Sequence, residues 1–154
     1  MTSAPFAHPR FAPPWTSEIV SWSDSGGKVV LRREDGLPTA VELVRCVNGR
    51  LRLAYPVGAR DVEARIPDVV TPEDLTSVLL AVVPAILASD QHCRKVVFAV
   101  NRHEPVSALA EIAAAEAAGF RYVVDIDLAG AELSLLVAEP VRIIDIELDY
   151  VPGT

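Results

Sequence analysis

The sequence of 154 residues contains two cysteines, Cys46 and Cys93, and neither belongs to a Cys-x-x-Cys pair or stands at ligand spacing from a histidine. This excludes a disulfide scaffold and gives no zinc signature. No run of 18 apolar residues occurs, and four prolines interrupt residues 1–17, where a signal peptide needs an unbroken apolar segment. We therefore expect free, buried or half-buried thiols, no metal site and a cytoplasmic protein.

Basic residues are also scarce, with 14 Lys and Arg against 21 Asp and Glu, which gives a net charge of -7. This charge repels nucleic-acid phosphates and anionic lipid headgroups, so we expect neither as a partner. Apolar side chains are abundant, at 51% of the residues. A chain of this length buries roughly 70% of its unfolded surface and can form one domain around its own core.

The chain divides into three parts by composition. Residues 1–17 form a proline-rich N-terminal arm that we expect to be extended or disordered, residues 18–150 form a single domain, and residues 151–154 form a short tail. Trp15 and Trp22 are candidates to anchor the arm, either on the domain or on another subunit. The sequence leaves these two alternatives open.

Apolar alternation predicts most of the strands. The Asn48-Gly49 dipeptide between two alternating segments predicts a type I′ hairpin over residues 39–55, and Ala129-Gly130 predicts a second hairpin over residues 121–137. Further strands are predicted at residues 18–22, 28–33, 61–66, 95–100 and 144–150.

Two helices are predicted between these strands. Thr71-Pro72 is an N-cap followed by proline at the first helical position, and a wide apolar stripe follows to residue 88, with Pro84 expected to kink the helix. The second helix runs from Pro105 to Gly119, which is a C-terminal stop. The predicted fold is α/β, with a mixed, mostly antiparallel sheet of about seven strands and two main helices packed on it.

The run from Cys93 to Val137, CRKVVFAVNRHEPVSALAEIAAAEAAGFRYVVDIDLAGAELSLLV, resembles the C-terminal half of the GCN5-related N-acetyltransferase (GNAT) superfamily. The shared features are a Cys-Arg-Lys apolar strand, a loop with Asn and Glu-Pro, a helix that ends in Gly-Phe, and a closing hairpin. The elements predicted over residues 39–88 follow the family order. The resemblance covers residues 39–139 and implies a GNAT-like sheet splayed between its fourth and fifth strands, with acyl-coenzyme A in the splay.

The resemblance also implies functional residues. Glu63 lies on the fourth strand, where the family places a general base, and the alternative is a solvated strand carboxylate. His103 and Glu104 follow the fifth strand as further proton acceptors, and the alternative is a polar loop that caps the second helix. Acetyl-coenzyme A is implied as co-substrate, along Ala64, Ile66, Val69, Val70, Thr71 and Asn101.

The sequence departs from the family at the pyrophosphate loop. The family has a glycine-rich loop before its long helix, whereas residues 65–72 contain no glycine. Pro67 and Pro72 lack an N–H, and the acidic residues Asp68, Glu73 and Asp74 place negative charge where a pyrophosphate would sit. The second helix, which ends at Gly119, also has Ala115 where the family often has a tyrosine general acid.

Two functions therefore stay open. The first is an N-acyltransferase that moves an acetyl or other acyl group from coenzyme A to a small-molecule primary amine. Two acidic strand faces would attract such a cation, unless they only solvate the surface: Asp125 and Asp127 with Glu132 across the turn, and Asp145, Glu147 and Asp149. The second is a catalytically inactive GNAT-like binding or dimerisation module, a homodimer in which residues 143–150 pair across the interface.

Overall fold

A computed structural model describes residues 6–34, 36–68 and 71–139 of the chain. The elements are β1 (Thr16–Ser23), β2 (Gly26–Arg32), β3 (Thr39–Arg45), β4 (Val62–Arg65), α1 (Pro72–Ser89), β5 (Val96–Asn101), α2 (Pro105–Ala117), β6 (Arg121–Leu128) and β7 (Ala131–Ala138). The strand order is β1-β2-β3-β4-β5-β7-β6. The predicted mixed, mostly antiparallel sheet with two helices is confirmed. The strand predicted at residues 144–150 lies outside the described residues.

The β4–β5 pair is parallel, and the other five strand pairs of the described sheet are antiparallel. Three β4 residues, Val62, Glu63 and Ala64, face Val96, Val97 and Phe98. β5 then continues to Asn101 alongside β7. The β4–β5 ladder thus ends after three pairs, where the resemblance places the splay.

Both helices have the terminal residues predicted from the sequence, an N-cap at Thr71 and a C-terminal glycine at Gly119. The Thr71 side chain accepts a hydrogen bond from the Asp74 N–H at 3.1 Å, and α1 continues through Pro84 to Ser89. Gly119 follows α2 with a φ of +99°, a left-handed conformation that glycine adopts without strain. The α1 side chains that form its buried face are Leu75, Val78, Leu79, Val82, Ala85 and Ile86.

By length and composition alone, α1 would be able to cross a membrane, since it has 18 residues and a mean hydropathy of 1.4. A core helix meets the same two criteria. The buried face of α1 belongs to the main core, together with inward side chains of β2 to β5, so the apolar character of α1 is accounted for by packing.

The hairpin predicted over residues 39–55 is wrong. β3 ends at Arg45, a short 3-10 helix covers residues 46–48, and turns follow to residue 55. Gly49 has a φ of -114°, whereas a type I′ turn needs positive φ at both central residues. β3 pairs with β4 instead, and the Cys46 N–H continues that pairing to the Asp61 carbonyl at 2.9 Å.

Leu51 shows what replaces the predicted second strand. Its side chain is fully buried in a second apolar cluster on the sheet face opposite the helices, together with Cys46, Val97, Leu133, Leu135 and Val137. The segment after β3 therefore covers this face of the sheet as a loop.

The described part of the N-terminal arm packs on the domain of the same chain. Phe6 is buried, its ring contacts Trp22 edge to face at a centroid distance of 5.0 Å, and the Trp22 indole N–H donates to the Phe6 carbonyl. Trp15 is half-buried against the core. Residues 6–15 have no helix or strand, but β1 begins at Thr16, two residues inside the predicted arm.

A buried ion-pair cluster joins the elements at the opposite end of the sheet from the α1 N-terminus. Asp90, which ends α1, accepts hydrogen bonds from Arg45 Nη1 at 2.7 Å and from Arg60 Nε at 3.0 Å. Arg45 also donates to the Arg60 carbonyl at 2.9 Å, and its guanidinium carbon lies 4.1 Å from the Phe6 ring centroid. The cluster therefore connects β3, the turn before β4, α1 and the arm.

The charge on Asp90 is predicted to stabilise the fold. Burial raises the pKa of Asp90, but hydrogen bonds from Arg60, Arg45 and the His92 N–H outweigh burial and hold that pKa below the ordinary 3.8. We expect Asp90→Asn to lower the free energy of unfolding by about 3 kcal/mol at pH 7, because it leaves Arg45 buried without its counter-charge. Urea unfolding measures this loss.

The pH dependence checks the cause. A carboxyl with a lowered folded pKa stabilises the fold above its ordinary pKa, and this stabilisation is lost as the pH falls through the folded value. The difference in the free energy of unfolding between the wild type and Asp90→Asn should therefore become smaller below pH 3.8. Asp24→Asn, in the exposed turn after β1, is the control and should change stability by less than about 0.5 kcal/mol. A gap that stays constant with pH would contradict the assignment.

Candidate functional site

Glu63 is neither a solvated carboxylate nor a free base. Its neighbours Val62 and Ala64 point into the main core, so Glu63 points to the opposite face, where it is 2% exposed. Arg50 holds it from two nitrogens: Nη2 lies 2.6 Å and Nε 3.2 Å from Glu63 Oε2. A buried carboxylate with a fixed guanidinium partner is poorly suited to accept a proton from a substrate. The alternative of a solvated strand carboxylate is wrong because Glu63 is buried, and its role as a general base stays a prediction.

Three of the residues expected to hold coenzyme A, Ala64, Ile66 and Thr71, already have partners within the chain. The Ala64 and Ile66 side chains are buried in the main core, and the Thr71 hydroxyl accepts the N–H of Asp74. Val69 and Val70 lie outside the described residues. Asp68 is exposed beside this helix start, and Glu73 and Asp74 occupy the first turn of α1.

These observations test whether a pyrophosphate fits. A helix N-terminus binds phosphate through free N–H groups and a positive dipole end. Here Thr71 already uses one N–H, Pro67 and Pro72 have none, and carboxylates surround the helix start. The described residues therefore do not fit the pyrophosphate of coenzyme A.

The loop after β5 places three predicted residues in one open cleft or at its border. Asn101 Oδ1 accepts the His103 N–H at 2.9 Å, and the His103 side chain is exposed. Glu104 directly precedes α2 and makes no side-chain capping bond. The cleft has a volume of about 610 Å³, and its lining residues are Asn101, Arg102, His103, Asp127, Leu128, Gly130, Ala131 and Glu132. Glu63 does not line it.

Arg102 binds the acidic residues of the neighbouring hairpin. Its guanidinium lies 3.9 Å from Asp125 and 3.4 Å from Asp127, and the Ser134 hydroxyl donates to Asp125 at 2.7 Å. The hydrogen bond from Ser134 is the largest cause of the lowered pKa of Asp125. A hydrogen bond from Tyr122 and the charge of Arg102 lower that pKa further, and together these effects outweigh desolvation. Asp125 and Asp127 thus have partners within the chain, so they are less suited to bind a substrate amine.

A second cleft, which no pattern in the sequence indicates, lies at the carboxyl end of β4. Its volume is about 570 Å³, and the lining residues are Pro14, Trp15, Arg33, Glu34, Gly36, Leu37, Pro38, Thr39, Asp68, Asp74 and Val78. They come from the arm, the β2–β3 loop, the loop after β4 and α1. No local pattern predicts that four segments so distant in the sequence meet. Trp15, a candidate anchor of the arm, was singled out from the sequence.

Among the described residues, no group of three His, Cys, Asp or Glu side chains converges as metal ligands. Both cysteines are free and buried, as the sequence predicts. Burial, with the charges of Glu63 and Asp61, raises the pKa of Cys46 to about 12. Burial, with the charges of Asp90 and Asp61, raises that of Cys93 to about 11.

Comparisons with known proteins establish the fold without a family. No protein-family model matches the chain, and no curated protein is significantly similar to it. An uncharacterized protein from Bacillus halodurans superposes with a TM-score of 0.62 at 16% identity, over 75% of this chain and 60% of its own. A "putative acetyltransferase" from Sphaerobacter thermophilus superposes with a TM-score of 0.45 at 18% identity, over 81% of this chain and 75% of its own.

The first superposition shows a shared fold, and this chain spans 60% of that protein's length. The second is too loose to carry an argument about chemistry. The function must therefore be argued from the residues themselves.

The ion pair with Arg50 is predicted to stabilise the fold, because it neutralises the buried carboxylate of Glu63. We expect Arg50→Ala to lower the free energy of unfolding by about 2 kcal/mol, less than for a fully buried pair because the Arg50 side chain is 31% exposed. In Glu63→Gln/Arg50→Ala, the loss should be smaller than the sum of the single losses. Urea unfolding measures both, with the neighbouring exposed Arg52→Ala as control. Additive losses would contradict the coupling.

The cysteines are predicted to be inert in the folded protein. The thiolate is the reactive form, and burial with a raised pKa removes both access and thiolate. We expect iodoacetamide at pH 8 to modify neither Cys46 nor Cys93 in the native protein and both in urea, as read by mass spectrometry. Rapid native labelling of either residue would overturn this prediction.

Proposed function

We propose that this chain is a GNAT-like domain that does not catalyse acyl transfer and works as a binding module. The observation that carries the proposal is the start of α1, where a bound coenzyme A would place its pyrophosphate. Glu73 and Asp74 place negative charge in the first turn of α1, Asp68 adds a further carboxylate shortly before it, and Thr71 uses its hydroxyl on its own helix. The cofactor of the reaction is thus opposed by charge and by geometry.

The state of Glu63 supports the same proposal. The reaction needs a base that can take a proton from an ammonium group. Glu63 is buried and held by Arg50 at 2.6 Å, so its protonation would break an ion pair in the sheet. The Arg50–Glu63 pair stabilises the sheet, and it leaves the Glu63 carboxylate engaged and so not free to act as a base on a substrate.

Between binding and dimerisation, the edges of the described sheet favour binding. Both edge strands carry irregularities, at Val20 in β1 and at Val123 in β6. Bulges on edge strands hinder pairing with a second chain. We therefore place the activity of the module in a cleft rather than at a strand edge.

N-acyl transfer from acetyl-coenzyme A is the second candidate, and two observations favour it. The β4–β5 ladder ends after three pairs, and the exposed His103 and Glu104 lie beyond the carboxyl end of β5. In this alternative, His103 or Glu104 replaces Glu63 as proton acceptor for a primary amine.

Calorimetric titration with acetyl-coenzyme A, with coenzyme A alongside, separates the candidates. We expect no binding at millimolar ligand in low salt, because the carboxylates repel the pyrophosphate. Any weak binding should strengthen as salt screens that repulsion, opposite to the behaviour of a phosphate-binding site.

Micromolar affinity for acetyl-coenzyme A that weakens with salt would overturn the proposal. It would favour the acyltransferase, and an amine screen with His103→Ala and Glu63→Gln would then identify the proton acceptor.

A further inference from the structure

A third cleft lies at the end of the sheet where β4 and β5 begin, and its two walls differ in chemistry. Its volume is about 470 Å³. Residues 56–59 form an apolar wall of proline, valine, glycine and alanine, whereas His92, Arg94 and Lys95 form the facing basic wall. We call this site the basic cleft.

The positive charge of the basic wall has no ion-pair partner in the described part of the chain. Neither the exposed Arg94 nor the half-buried Lys95 makes an ion pair there, and Lys95 Nζ lies 5.4 Å from the ring centroid of Tyr55. Asp61 also lines the cleft, but it is buried and accepts the Gly58 N–H at 2.7 Å. The basic cleft therefore suits an occupant with one acidic side and one apolar side.

The C-terminal segment of residues 143–150 has these two sides. It lies outside the described residues, and its sequence is IIDIELDY. In an extended conformation, successive side chains point to opposite sides. Its apolar residues alternate with acidic ones: Ile144, Ile146, Leu148 and Tyr150 with Asp145, Glu147 and Asp149. The acidic side is complementary to the basic wall, and the apolar side to the wall of residues 56–59.

The position of the β7 C-terminus places this segment next to the basic cleft. Val96, which follows Lys95, pairs with Val62 at the start of β4 and with Ala138 at the end of β7. Neighbouring strands are about 4.8 Å apart, so Ala138 lies about 10 Å from Val62 across the sheet. Residues 139–142 can span about 13 Å when extended, at roughly 3.3 Å for each residue. The acidic segment therefore begins within reach of both walls.

We infer that residues 143–150 bind in the basic cleft of their own chain. The acidic side contacts Arg94 and Lys95, and the apolar side packs on residues 56–59. This inference goes beyond the proposed function and does not depend on it. It assigns to one chain the segment for which the sequence left pairing with a second copy open. An acidic ligand from outside would have to displace this segment from the basic cleft.

Zero-length carbodiimide crosslinking of the full chain tests the inference, because the reagent joins an amine to a carboxylate only where the two are in contact. The sequence contains two lysines, Lys28 on β2 and Lys95, and both are half-buried. We expect mass spectrometry to find Lys95 linked to an acidic residue of segment 143–150 and Lys28 not linked to that segment. The yield should fall as salt rises.

Matched variants separate binding in the cleft from mere proximity of the segment. Arg94→Glu reverses a charge of the basic wall and should lower the yield of the Lys95 link about fivefold. Arg32→Glu makes the same change at the opposite end of the sheet and should alter the yield less than about twofold. Ile146→Asn keeps every charge and should lower the yield about threefold, because it removes an apolar contact. Both arginines are exposed, so their replacement keeps the fold.

Isotope mixing identifies the chain to which the segment binds. Chains labelled with ¹⁵N are mixed with unlabelled chains, so a link between two copies carries a single label. Links of Lys95 that stay within one copy support the inference. Links between two copies would overturn it and assign the segment to a dimer. The absence of a Lys95 link, equal links from Lys28, or equal effects of Arg94→Glu and Arg32→Glu would also overturn it.

Discussion

The ion pair between Arg45 and Asp90 is the contact on which the arrangement of the other elements depends. Asp90 ends α1, Arg45 ends β3, and Arg60 reaches the same carboxylate from the turn before β4. Because both Arg45 and Asp90 are 4% exposed, each charge needs its partner to remain buried. The cluster joins the C-terminal end of α1 to β3 and to the turn before β4. At its other end, α1 begins beside the carboxyl end of β4.

Charge has opposite consequences at the two ends of α1. At its C-terminus Asp90 is neutralised within the chain, and its role is structural. At its N-terminus Asp68 and Asp74 have no ion-pair partner in the described structure, so their charge faces a cleft. Fold and surface charge are separable here, because the fold depends on apolar packing, whereas the charge at the helix start comes from a few surface residues.

The predictions that failed were those in which a distant contact overrode a local signal. Asn48-Gly49 is a strong hairpin signal, but β4 pairs with the edge of β3, and Leu51 is buried in the second apolar cluster. Glu63 was correctly placed on β4, yet its burial and its partner Arg50 depend on that same loop. The helix boundaries were predicted well because capping by Thr71 and the left-handed Gly119 are local interactions.

The sequence by itself determined the fold class, most of the strands and both helices, since periodicity, caps and turn residues act over a few positions. It also determined the absence of glycine before α1 and the acidic residues around its first turn, on which the argument about coenzyme A depends. The tertiary structure decided what surrounds each charge. It paired Glu63 with Arg50 and Asp125 with Arg102, and it brought Trp15 and Arg33 to Asp68 and Asp74. These pairings join residues far apart in the chain, and no local pattern encodes them.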